Sequence, residues 1–545
     1  MTAPPESAAA HSLHDVVIMG GGLAGLTLAL QLKLRFAELD ILVIERRRHP
    51  VPVATHKVGE STVELAAHYF ADVLGLREHL ETAQIRKFGF RFFFSEGQAD
   101  LAKVTELGAS RALPMVSYQI DRGIFENFLA EEALRRGIRF ADAARVTRLT
   151  LASGQEAHSV SWLQDAHEHQ AQCRWLIDAC GRAGLIKRKL DLAQPSAHDC
   201  NAVWFRIADR IAIDEWSDDP AWRARCSPPE RWRSTNHLVG TGYWVWLIPL
   251  ASGSHSVGIV ADPRHHPLET IDSFDKAMAW LARWQPSLFA DLDRKRHLLQ
   301  DFAFFRKFSY GCKQVFSGQR WALTGEAGLF LDPFYSPGSD FIAIANTFIT
   351  ELIALERAGH RVDGHAWIYD QVFHSFFDST MALYQDQYDL FGDPEVLPVK
   401  VIWDYSYYWG VLSQLFVAGR LTDLKTLSVL REDLARCQQL NVAVQDLFRA
   451  WGRVSRRRNS PQMLDQASLP WFSALNAGLT DQLDEAAFRE RLRTATRMLR
   501  ELASEIAERA VSDHPHLDTQ ALQAAIGTEP LPPRAHDRLF APQPD

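Results

Sequence analysis

Val16-Val17-Ile18-Met19-Gly20-Gly21-Gly22-Leu23-Ala24-Gly25 leads through an apolar helical pattern at residues 26–33 to Ile41-Leu42-Val43-Ile44-Glu45. The order is buried strand, glycine turn, helix, second buried strand, terminal acid, which is the opening unit of a dinucleotide fold. Gly20, Gly22 and Gly25 fit G-x-G-x-x-G. The first allows the tight turn, the second lets a pyrophosphate approach the backbone, and the third lets helix and strand pack closely. The helix N-terminus adds unpaired N–H groups and a positive dipole end for the phosphates. Glu45 ends the second strand, where a carboxylate accepts hydrogen bonds from an unphosphorylated ribose, so the ligand is FAD or NAD rather than NADP.

Around this unit the chain has 545 residues, room for two or three domains. A net charge of −8 gives no general affinity for nucleic acid. The six cysteines form no C-x-x-C pair and no metal-ligand spacing, as expected for reduced, mostly buried thiols in a cytoplasmic protein that binds no metal. Residues 1–14 are rich in Ala, Pro and Ser and lack the basic and apolar regions of a signal peptide. No stretch reads as a membrane span.

Taken in order, the pattern predicts a disordered leader at 1–14 and an α/β, Rossmann-type FAD-binding domain at 15–185 and 317–360. Residues 85–120 lean to the substrate side. An antiparallel-sheet substrate domain covers 186–316, a helical C-terminal domain 361–527, and a disordered Pro-rich tail 528–545. Within this frame residues 86–94 alternate as one strand, and Ser61 or Thr62 is placed to cap a helix at 63–74. No second G-x-G-x-x-G follows a strand, so a second nucleotide site is not expected.

The turn with Glu45, Asp178-Ala179-Cys180-Gly181, and Gly325-Glu326-Ala327 together resemble the FAD site of p-hydroxybenzoate-hydroxylase-like flavoproteins. The resemblance implies that Asp178, Gly325 and Glu326 lie along the flavin, although the family has Gly-Asp where this chain has Gly325-Glu326. Arg122 matches an arginine near the flavin phosphates. Trp244-Val245-Trp246-Leu247-Ile248-Pro249 fits W-x-W-x-I-P, and the segment from Phe330 through Asp332, Pro333, Tyr335 and Ser336 to Gly338 fits F-x-x-P-x-x-S-x-G. Both are patterns of the flavin-dependent halogenases. Gly59-Glu60-Ser61 resembles the family's flavin-covering loop, and Lys87, followed by Phe88-Gly89-Phe90, matches the lysine of phenol and pyrrole halogenases.

That resemblance implies an FAD-dependent halogenase. Reduced FAD from a separate flavin reductase, with O2, turns chloride or bromide into hypohalous acid, which a lysine passes to an electron-rich aromatic ring. Lys87, Ser336 and Tyr335 are then the candidate catalytic residues. Trp244, Trp246, Ile248, Pro249, Phe330, Pro333, Gly338 and Ser339 wall the route and the halide site. Tyr335 stands where tryptophan halogenases carry a glutamate, which points away from free tryptophan and toward a phenol-type substrate, free or tethered to a carrier protein. Pro337 removes one N–H from the family's halide loop and leaves those of Gly338 and Ser339. Lys57 is the rival lysine, read as a surface or phosphate-side charge. The aromatic run Trp403 to Trp409 reads equally as a roof over a ligand or as helix core. A flavin monooxygenase or isoprenoid-type reductase on the same fold, and a non-catalytic flavin-binding scaffold, remain as alternatives.

Overall fold

The computed structural model describes residues 13–53, 57–456, 459–531 and 537–541. Strand β1 (Leu13–Met19) is buried from Val16 onward, helix α1 (Leu23–Arg35) packs over it, and strand β2 (Ile41–Ile44) is buried throughout. These strands sit at the centre of a sheet ordered Phe316–Ser317, Trp321–Leu323, His167–Asp178, β1, β2, Arg139–Ala141. The pairings from Trp321–Leu323 across to Arg139–Ala141 are parallel. Continuous apolar runs such as Val16–Met19 are what a sheet covered on both faces requires.

The second sheet runs Leu299–Phe305, Asn201–Ile207, His255–Ala261, Tyr243–Pro249, Thr235–Gly240, Phe90–Phe93, Glu106–Gly108, Met463–Asp465. It is not wholly antiparallel: Thr235–Gly240 pairs parallel with Phe90–Phe93, and Met463–Asp465 pairs parallel with Glu106–Gly108. Side chains alternate across a strand. Trp244, Trp246 and Ile248 therefore join the larger core, which includes the first sheet, while Tyr243, Val245 and Leu247 join a second core under helices Phe274–Trp284 and Pro286–Arg294.

Several expectations are corrected. The strand at 86–94 is broken: Ile85–Arg86 and Phe90–Phe93 belong to different sheets, with Gly89 at φ +86° between them. Neither Ser61 nor Thr62 caps the next helix. Val63 holds the N-cap position, and the Thr62 hydroxyl donates to the Tyr118 carbonyl. Residues 1–12 of the expected leader lie outside the described residues, and Leu13 and His14 already belong to β1. In the tail, residues 532–536 and 542–545 lie outside the description, but Leu539 is buried and its N–H donates to Glu505. The helix Gly338–Arg357 does have the length and hydropathy of a membrane span. Here its Ile344, Ala345, Ile349 and Leu352 are buried in the core, and it packs on α1 and on the helix Asp363–Met381.

Candidate active site

The glycine turn is built for close approach. Gly20 has φ +110°, and a Cβ there would lie 2.3 Å from the Ala179 carbonyl oxygen; at Gly25 a Cβ would lie 1.9 Å from the Gly20 carbonyl oxygen. Gly22 differs, because a Cβ would meet nothing nearer than Glu126 at 3.9 Å. Its bare face is open, at the N-cap of α1, where a phosphate would sit. These residues fit FAD. Glu45 accepts from the Gly21 N–H at 2.7 Å and the Arg47 N–H at 2.8 Å, which fixes the carboxylate beside the turn.

A cavity of about 1200 Å³ extends from Leu23 at the start of α1 to Trp246 on the second sheet. Gly59, Glu60, Ser61, Arg122, Gly325, Glu326, Trp244, Trp246, Ile248, Phe330, Pro333, Ser336, Gly338 and Ser339 all face it. Gly20, Gly22, Gly25, Glu45, Asp178 and Pro249 do not. The Asp178 carboxylate is tied to the N–H groups of Cys180 and Ile186 and holds the turn, while Pro249 closes its strand opposite His255. Glu60 is fixed by the Arg206 guanidinium, and Glu326 pairs with Arg182 at 3.1 Å. Arg122 donates to the Val58 carbonyl at 2.6 Å and to buried Glu126 at 2.6 Å. Lys57 also pairs with Glu126, so it is neither a bare surface charge nor remote from the phosphate end; burial and the neighbouring Arg122 and Arg47 pull its ammonium down to about 7.

The turn before the helix Gly338–Arg357 places Ser336 at φ +55°. The first N–H groups of a helix have no intrahelical acceptor. Gly338 and Ser339 thus offer two such donors at a positive dipole end facing the cavity, and a Cβ at Gly338 would meet nothing within 4 Å. Both donors remain although Pro337 has none.

A second cavity of about 590 Å³ adjoins the first, and Pro337 and Phe341 face both. Phe90, Tyr335, Tyr384, Tyr405, Tyr407 and Tyr408 give it aromatic walls, and Asp340 and Asp404 are the carboxyl groups facing it among the described residues. The run from Trp403 to Trp409 serves as core and as wall: Trp403 and Trp409 are buried, while Tyr405, Tyr407 and Tyr408 face the cavity.

Lys87 stands between the cavities. Its Nζ donates to Ser61 Oγ at 2.9 Å, on the first cavity, and lies 3.4 Å from the ring centroid of Phe90, on the second. It also donates to the Thr62 carbonyl at 3.0 Å and is only 5 % exposed. Burial draws the ammonium down to about 7, against the opposing pull of Glu64 and Asp340. Both acids escaped the sequence reading. Asp340 accepts from the Ala66 N–H at 2.9 Å and the Tyr408 hydroxyl at 2.8 Å, and burial pushes it up to about 8; Glu64 accepts from Trp409 Nε1–H at 3.0 Å. Burial also holds His237, which faces the first cavity, down to about 3, so it stays neutral beside Lys87. The Trp244 indole N–H donates to Tyr388, which donates to Asp332. His198, Cys200 and Asp332 present ligand atoms within 4.8 Å of one another, a spacing open to a metal ion, and His198 is hydrogen-bonded to Asp332 at 2.7 Å.

The profile of one family, tryptophan halogenase, matches residues 15–101 and 97–366. The flavin-dependent halogenase chlA of Dictyostelium discoideum is 26% identical over 436 residues, 74% of this chain and 71% of that protein. A 1H-pyrrole-2-carbonyl-(peptidyl-carrier protein) brominase of Pseudoalteromonas luteoviolacea (strain 2ta16) is 25% identical over 417 residues, 74% of this chain and 88% of the relative. Among solved structures, halogenase PltM in complex with phloroglucinol and FAD superposes with a TM-score of 0.62 at 17% identity, over 91% of this chain and 96% of that one.

Proposed function

The chain belongs to the tryptophan halogenase family of flavin-dependent halogenases, and from that premise we propose that it halogenates an electron-rich, phenol-type aromatic using reduced FAD, O2 and chloride or bromide. The observation that carries this reading is Lys87, buried between a cavity that reaches Leu23 at the start of α1 and a second cavity lined with aromatic rings. Reduced FAD with O2 would supply the oxidising power that makes halide electrophilic.

The chain's own residues do the rest. Gly22 and the N-terminus of α1 hold the pyrophosphate, with Arg122 and Lys57 as adjacent cations. The N–H groups of Gly338 and Ser339 hold the halide. Trp244 and Trp246, both buried, wall the first cavity and keep hypohalous acid from leaking on that side. As an ammonium Lys87 hydrogen-bonds hypohalous acid; as a neutral amine it carries the halogen as a haloamine. A lysine held near 7 is available in both forms at neutral pH. The second cavity receives the ring. A separate flavin reductase supplies the reduced FAD.

The test gives the protein reduced FAD, O2, bromide or chloride, and a panel of phenols, each free and as a carrier-protein thioester, since one relative is named for a carrier-bound substrate. Halogen mass gains are expected for wild type. Lys87→Ala should retain FAD and lose halogenation by about 10²–10⁴-fold, the range for removing a positioned acid–base group; full activity in that variant would end the proposal.

A further inference from the structure

The helix Val396–Tyr407 carries a lysine and an aspartate that halogen transfer by Lys87 does not need. Lys400 Nζ and Asp404 Oδ2 are 2.8 Å apart, with side chains 0% and 2% exposed. Taking such a pair out of water is costly, and apolar residues would fill the space at least as stably. Gln445 completes it, accepting from Lys400 at 2.7 Å and donating to Asp404 Oδ1 at 2.7 Å. Tyr335 donates its hydroxyl to Asp404 Oδ2 at 2.8 Å. Asp404 and Tyr335 also face the second cavity. So does Tyr384, fully buried, whose hydroxyl oxygen lies toward the Tyr335 backbone but whose proton has no acceptor among the described residues, and whose ring lies 6.0 Å from that of Tyr335. Buried polar groups are ordinarily satisfied, and an unpartnered one in a cavity wall points to a ligand.

We propose that Asp404, Tyr335 and Tyr384 are the hydroxyl-recognising end of the second cavity, and that its ligand is an uncharged aromatic ring bearing a free hydroxyl group. This rests on the reading that the second cavity receives the acceptor ring. An ionised carboxylate offers about four acceptor positions, and Lys400, Tyr335 and Gln445 occupy three on Asp404. Tyr335, while donating to Asp404, retains acceptor capacity on its oxygen, and Tyr384 can donate or accept. A phenolic hydroxyl donates and accepts at once and meets this set. A methyl ether only accepts. A carboxylate would bring another acid to the Asp404 end, where no lysine, arginine or histidine among the described residues faces the cavity; Lys87 lies at the other end, over Phe90. Burial pushes the Asp404 carboxyl up, and Lys400, at 2.8 Å, opposes that shift without entering the cavity. Phe90 lies between the two ends, 3.4 Å from Lys87 Nζ and 6.3 Å from the Tyr335 ring, so anchoring the hydroxyl fixes which ring carbon is presented to Lys87.

The experiment is calorimetric binding of resorcinol, 1,3-dimethoxybenzene and 3,5-dihydroxybenzoate to the FAD-loaded full-length protein, with halogen position read separately by NMR of the product. Resorcinol should bind at least tenfold more tightly than the other two. Asp404→Asn should lose that preference and scatter the halogen over ring positions. Tyr384→Phe removes only the hydroxyl whose proton is unpaired, so it should keep a Tm near that of the wild type while weakening resorcinol several-fold and leaving dimethoxybenzene unchanged. Equal binding of resorcinol and its dimethyl ether, no binding of resorcinol, or wild-type resorcinol binding in both variants overturns the proposal. Because binding is read without turnover, hydroxyl-selective binding with no halogenated product would instead overturn the proposed activity and leave this assignment standing.

Discussion

At the scale of single residues the centre is Lys87 and the two carboxyls that share its charge. A buried lysine ordinarily loses its proton at the cost of desolvation, and a nearby carboxylate returns part of it. Glu64 and Asp340 supply that return, and His237, neutral beside them, does not compete. Asp340 and Lys87 change protonation in the same range, so they titrate as one system. Asp340→Asn keeps an acceptor for Ala66 N–H and a partner for Tyr408 but removes the negative charge. With that charge gone the ammonium is less favoured, and Lys87 loses its proton at lower pH. The limb of the pH–rate profile set by Lys87 should therefore move to lower pH, whether the active form is ammonium or amine; a uniform loss of rate with an unmoved profile would mean that Asp340 only holds the helix in place. Lys87 was legible in the sequence because a lysine followed by glycine and phenylalanine is a local pattern. Asp340 was not, because its meeting with Ala66 spans 274 residues and exists only once two helices have packed.

Among the elements, the β1–α1 turn yields the cleanest contrast. Gly25 touches backbone, so Gly25→Ala forces a Cβ to within 1.9 Å of the Gly20 carbonyl oxygen and should prevent stable folding, a loss above about 4 kcal/mol. Gly22 has φ −85°, which any residue adopts, and open space beside it. Gly22→Ala should melt within a degree or two of wild type yet bind FAD at least tenfold more weakly, the added methyl taking the place of pyrophosphate. Thermal melts with FAD fluorescence separate the two, and a Gly22→Ala protein with unchanged FAD affinity would displace the phosphate from this turn. That unit was readable because strand, turn and helix are contiguous. So was the face shared by Trp244, Trp246 and Ile248, since strand period alone sets it. The break at Lys87–Gly89 was hidden, because alternation continues through residues that serve two sheets. Also hidden were the π-helical turns Tyr69–Val73 and Tyr408–Ser413, which have no propensity signature; the second begins at the tyrosine bonded to Asp340.

Across the whole molecule, two sheets and a helical region enclose the paired cavities, and the assembly depends on contacts between distant segments. Met463–Asp465 returns from the helical region to close the second sheet, which no local pattern foretold. The helix Gly338–Arg357 is apolar on most sides because it is core to this assembly, so hydropathy alone makes it look like a membrane span. The same enclosure bears on how electrons arrive. The glycine turn at β1 is the only G-x-G-x-x-G that follows a strand, and neither cavity contains a second strand–turn–helix phosphate site among the described residues. A nicotinamide nucleotide has no cradle of that kind to bind in, and the reading proposed above expects FAD to enter already reduced. Photochemically reduced FAD, with O2 and halide but no NADH or NADPH, should then support halogenation as fully as a reductase-coupled assay, whereas NADH or NADPH with oxidised FAD and this protein alone should give no product. A reductase held behind a dialysis membrane that passes only FAD should restore the product, because the flavin rather than a protein complex carries the electrons; product formed from NADH by the purified chain would place a reductase site within it.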